Sequence, residues 1–102
     1  MKILDELGMK PGNLGYTYWE EAIKLRKGIY YDIKMGKIYN EIAEKYNTTY
    51  VRVERNMRRS RESIKGLNKK IKTDFTIDNK NFLAILVKNN GGKNEWDFKI
   101  YF

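Results

Sequence analysis

The sequence has no cysteine, no histidine and a single proline, Pro11. Without cysteine it can form neither a disulfide nor a thiolate nucleophile, and a reducing compartment suits it. Without histidine it lacks the commonest general base and the commonest transition-metal ligand. Carboxylates remain for a hard cation, yet none is spaced as a calcium loop. No nucleophile–base pair or metal-ligand cluster is visible, so neither an enzyme nor a metal or cofactor site is expected. No apolar run approaches the length of a membrane span, and the N-terminus lacks the basic-then-apolar pattern of a secretory signal. The expected location is the cytoplasm, with no membrane partner. The 102 residues suffice for one domain with one modest core.

What is abundant is positive charge, and it is concentrated. The formal net charge is +8, and residues 51–72 hold nine basic side chains against two acidic ones, which places +7 of it in one stretch. The type of cation is selective too. Lysine outnumbers arginine fifteen to six over the chain, yet five of the six arginines are Arg52, Arg55, Arg58, Arg59 and Arg61. Lysine serves for solubility, whereas a planar fork is what bidentate contact to a guanine edge or a phosphate requires.

Hydrophobic spacing puts these arginines on a helix. Ile38, Ile42, Ala43 and Tyr46 fall at helical intervals, Asn47-Thr48-Thr49 supplies turn and N-cap oxygens, and Tyr50, Val53, Met57 and Ile64 form a second apolar stripe. Opposite that stripe lie Val51, Arg52, Arg55, Arg58, Arg59 and Glu62. This is the pattern of a helix-turn-helix whose second helix is offered to a DNA major groove. Val51, Arg52, Glu54 and Arg55 are the candidates for base edges. Thr48, Thr49, Arg58, Arg59, Arg61, Lys65, Lys69 and Lys70 are the candidates for phosphate, with residues 65–70 read as a basic loop.

Around this pair the chain reads as mainly α, with about five or six helices and a short C-terminal β element. Ile3, Leu4 and Leu7 mark a first short helix stopped at Gly8, and Lys10 to Asn13 form a turn. A longer helix is expected from Tyr16 or Thr17, carrying Trp19, Ala22, Ile23 and Leu25, with an end or bend at Gly28. Ile29, Tyr30, Ile33 and Met35 continue an apolar pattern. The aromatics Tyr16, Tyr18, Trp19, Tyr30 and Tyr31 are read as core rather than as a base-stacking platform. Phe75 and Ile77 give a weak strand signal. Asp78-Asn79 can cap a helix through Phe82, Leu83, Ile85, Leu86 and Val87, a run also compatible with a buried strand. Trp96, Phe98, Ile100 and Phe102 alternate strictly with polar residues, a strand with one buried side. Residues 1–88 thus form the helical domain and residues 89–102 its strand-like extension.

One family resemblance rests on the residues just named. Gly15-Tyr16-Thr17-Tyr18 followed by Glu21-Ala22-Ile23, and Ile42 to Thr49 running into Arg52-Val53-Glu54-Arg55 and Arg58, closely resemble the C-terminal DNA-binding effector domain of the master sporulation response regulator of endospore-forming bacteria. Glu6-Leu7-Gly8 and Asn81-Phe82-Leu83-Ala84 are similar to the start and the last helix of that domain. The resemblance implies a six-helix effector that reads a short DNA element and acts as activator or repressor. It carries over onto Thr48, Thr49, Arg52, Glu54, Arg55 and Arg58. Val51 departs from the family's small polar residue, and Asn56, Arg59 and Arg61 replace alanine, histidine and an apolar residue. The stretch before Gly36 is about two residues shorter. No receiver domain is expected before Met1, so control by aspartyl phosphorylation does not carry over.

The expected partner is double-stranded DNA, with self-association through the C-terminal strand as one route to a dimer. A different function fits the same residues: an inhibitor carried by a phage or other mobile element, binding a host protein or nucleoprotein complex through the basic helix and the aromatic tail.

Overall fold

A computed structural model describes residues 1–27, 34–74 and 76–89. Among them lie six helices: α1 (Lys2–Glu6), α2 (Leu14–Lys27), α3 (Met35–Lys45), α4 (Tyr50–Glu62), α5 (Leu67–Lys70) and α6 (Asn79–Asn89). The chain is therefore mainly helical, as expected. The bend at Gly28, the residues Ile29, Tyr30, Tyr31 and Ile33, Phe75 and the alternating tail all lie outside the described residues. Of the weak strand signal at Phe75 and Ile77, Ile77 is described and is not in a strand; it is buried as irregular chain instead.

The helix ends follow from local chemistry. α1 stops at Gly8, whose φ of +87° is cheap without a Cβ, and its last carbonyls are closed by Met9 N–H to Leu4 (3.0 Å) and Gly8 N–H to Asp5 (3.0 Å). The same motif ends α3, where Asn47 takes the left-handed residue (φ +52°) and Thr48 N–H reaches the Ala43 carbonyl at 2.9 Å. Two residues later Thr49 caps α4, its Oγ1 accepting from Arg52 N–H at 3.3 Å. Asp78 caps α6 in the same way, accepting from Asn81 N–H at 2.8 Å, which decides for helix over strand in the run after it.

α2 is the central element. It packs on α4, α3 and α6, and begins at Leu14, two residues before the earliest expected start. Tyr16, Tyr18, Trp19, Ala22 and Ile23 are all buried, so these aromatics are core as read. Trp19 is fully enclosed, meets Phe82 of α6 edge-on at 4.8 Å between ring centres, and donates its indole N–H to the Met57 carbonyl of α4 at 2.9 Å. Burying an indole this way removes its apolar body from water while the polar N–H keeps a partner.

At its first turn α2 touches α4 through almost no side chain. A Cβ on Gly15 would stand 2.1 Å from Ser60 Oγ, 2.5 Å from Ser60 Cβ and 2.7 Å from the Asn56 carbonyl oxygen. Glycine faces serine, so the two backbones approach closely. Further along, Glu21 ties α2 to the end of α3, accepting from Lys45 Nζ at 2.9 Å and from the Tyr46 hydroxyl at 3.2 Å. The Lys45 hydrogen bond holds the Glu21 carboxyl below its ordinary range. Tyr46, expected in the apolar face of α3, instead lies at the surface as the C-cap, edge-on to Tyr18 at 5.5 Å; buried Tyr39 takes an inward place on that face.

Two outcomes follow. Gly15→Ala should cost about 1–3 kcal/mol, because one of the atoms met is backbone and cannot swing aside; an unchanged urea midpoint would contradict the close approach. Glu21 has a folded pKa lowered from 4.5, so its stabilisation is present above that value and lost as pH falls through the lower one. The melting-temperature advantage of wild type over Glu21→Gln should accordingly shrink on acidification below that range, and a constant advantage would contradict the pairing.

Candidate nucleic-acid interface

α4 divides cleanly into an inward and an outward side. Val53, Met57 and Ser60 are buried, and Ile64 is buried just past the helix. At about 100° per residue, Val51 stands about 180° from Ser60, with Arg55, Arg58 and Glu62 on its stripe and Arg52 and Arg59 to one side. All six are exposed. Tyr50, expected on the inward stripe, is 42% exposed. It sits at the first position of the helix, where its ring meets Tyr39 edge-on at 5.1 Å rather than entering the core.

The candidate residues fall into distinct groups. Among the described residues, no hydrogen bond or ion pair engages the guanidinium of Arg52, Arg55 or Arg59. Glu54 is half-buried at the opposite edge of the outward face and pairs with Arg58, Oε1 to Nε at 3.3 Å. That i,i+4 contact orients Arg58 along the helix at little energetic cost or gain. Thr49 has its hydroxyl engaged as the cap, and Thr48 is half-buried in the turn. Lys65 and Lys69 are exposed beyond the C-terminal end of α4.

Arg61 and Lys70, also read as phosphate candidates, both make hydrogen bonds within the protein. Arg61 is half-buried; its Nε donates to Asn79 Oδ1 at 2.9 Å and its terminal nitrogen donates to the Ile77 carbonyl. Asn79 in turn donates to the buried Tyr39 hydroxyl at 2.9 Å. The fork of Arg61 thus joins α4 to the start of α6 and, through Asn79, to α3. Lys70 reaches back to the Leu7 carbonyl at 2.9 Å. The stretch around it is a one-turn helix anchored by buried Leu67, rather than an open basic loop.

A shallow groove flanks the outward face. Asn13, Leu14 and Gly15 at the start of α2 line it from one side, and Asn56, Arg59, Ser60 and Ser63 from the other. Leu14 is 55% exposed at its rim. Asn56 is half-buried there and donates to the Arg52 carbonyl at 2.8 Å. The sequence reading did not single out Leu14 or Asn13 for this face. The only signal was the Gly12-Asn13 turn, which does not say what it will lie beside.

A helix packed along one side, with arginines crowded on the other, gives this small helical domain one strongly basic face. The chain belongs to the family of the sporulation initiation factor Spo0A C-terminal domain, whose family model matches residues 1–89. This is the DNA-binding effector domain of a transcription regulator. No solved structure matches the chain. Among the described residues, no helix is long and apolar enough to cross a membrane.

The two kinds of arginine make a direct contrast. Arg61→Ala should lower stability by about 1–3 kcal/mol, since it leaves Asn79 and the Ile77 carbonyl short of a charged donor. Arg59→Ala should stay within about 0.5 kcal/mol of wild type, as an exposed side chain without a protein partner. Equal effects in chemical denaturation would contradict the division.

Proposed function

We propose that this protein is a sequence-specific double-stranded DNA-binding transcriptional regulator, with α3 and α4 as its helix-turn-helix and α4 as the helix that enters the major groove. The observation that carries this reading is the outward face of α4. Guanidinium groups stand there unengaged by the protein, on a helix whose other face is held at Val53, Met57 and Ser60. A fork needs a rigid mount, because direct readout depends on placing two N–H groups against two acceptors at once.

Roles follow from position. Arg52 and Arg55, in the N-terminal half of α4, fork onto base edges, with Val51 and Glu54 beside them. Arg58 and Arg59, further along, neutralise phosphate, joined by Lys65 and Lys69 and by the turn residues Thr48 and Thr49. Arg61 and Lys70 serve the fold instead. Each phosphate neutralised releases condensed counterion, so affinity should fall steeply with salt. A single small helix-turn-helix unit gains useful specificity from a second copy on a neighbouring half-site.

Selection of bound duplexes from a random library at physiological salt tests the reading directly, since it returns both a motif and any half-site spacing. Arg55→Ala should then weaken binding to the selected duplex by about 1–3 kcal/mol while leaving binding to a scrambled duplex nearly unchanged. No enriched motif, or equal losses on both duplexes, would overturn base reading by Arg55.

A further inference from the structure

We propose that Val51 reads the 5-methyl group of a thymine, so that the recognised element favours a thymine within about two base steps of the guanine taken by Arg55. This rests on α4 being the groove-entering helix and says which base a particular side chain there selects.

The starting point is an apolar side chain with no structural use. The exposed large hydrophobics among the described residues are Leu14, Tyr46, Tyr50 and Val51. Tyr46 and Tyr50 each stack edge-on against another tyrosine, and Leu14 forms a groove rim. Val51 is the most exposed at 57% and is absent from the partly buried hydrophobics that pack on the core. Nor does it favour the helix, because a β-branched residue is among the poorer helix formers. It is the second residue of α4, two past the Thr49 cap, at the centre of the outward face, and shares a stripe with Arg55 one turn on.

Only one apolar group projects from the base edges in the major groove, the C5-methyl of thymine. A valine on the groove-facing stripe can cover that methyl and exclude water from both surfaces. It offers nothing to the cytosine amino group or to the purine N7 acceptors. Arg55 lies about 6 Å further along the helix axis, while successive bases rise about 3.4 Å. The thymine and the guanine therefore fall within about two base steps of each other.

The test replaces thymine by uracil, which removes only the methyl, one position at a time in the duplex selected for the wild-type protein. At one thymine near the guanine that Arg55→Ala ceases to discriminate, the exchange should weaken wild-type binding about four-fold, the value of one buried methyl. Val51→Ala, exposed and folding normally by circular dichroism, should bind the thymine and uracil duplexes equally. Its affinity should match that of wild type on the uracil duplex. If wild type prefers the selected to a scrambled duplex but no uracil exchange matters, or Val51→Ala remains as sensitive as wild type, the methyl contact is overturned while base reading by arginine survives. If wild type does not distinguish selected from scrambled duplex, the underlying DNA reading fails as well.

Discussion

The indole of Trp19 ties α4 to the rest of the core. Its N–H reaches a carbonyl in the middle of α4 while its ring is closed in by Phe82 of α6, so one side chain fixes how far α4 stands from the helices behind it. A few residues earlier, Gly15 brings the α2 backbone against Ser60 and the Asn56 carbonyl. Together these contacts fix two points along the same face of α4, one polar and one steric. Two such contacts about one turn apart set the register of α4 against α2. That is the mechanical condition for an outward face to present side chains at defined spacing.

Within α4 the same residue type serves opposite ends. Arg61 turns under the helix and links it to Ile77, Asn79 and, one bond further, Tyr39. Arg52, Arg55 and Arg59 project away from it. Angular position decides the difference: Arg61 falls next to the Met57 side of the helix, where residues of the α5–α6 connection arrive, whereas the others face solvent. Charge in residues 51–72 is therefore an upper limit on what a partner meets, because some of it answers carbonyl groups of the same chain.

Much of this was legible in the residues themselves. The stripes Ile38, Ile42, Ala43 and Val53, Met57 gave both helices of the central pair, and Asn47-Thr48-Thr49 gave the turn, because these rely on contacts a few positions apart. What was not legible depends on partners brought from far along the chain. Arg61 looks like its neighbours until Asn79 arrives 18 residues later, and Lys70 until α1 lies beside it. Gly15 reads as a glycine just ahead of the expected helix, because nothing local announces Ser60. Tyr46 and Tyr50 have apolar spacing but sit at helix ends, where the periodic face runs out beyond the core. The stretch 67–70 is too short to show a period at all, and its burial of Leu67 emerges only in three dimensions.

The sharp separation of the two faces of α4 has a practical meaning. Val51, Arg52, Arg55, Arg58 and Arg59 are attached to the scaffold by little beyond their own backbone, so they can be exchanged as a set without repacking anything behind them. Such a helix can be varied along its outward side while the thermal profile of the domain stays where it was.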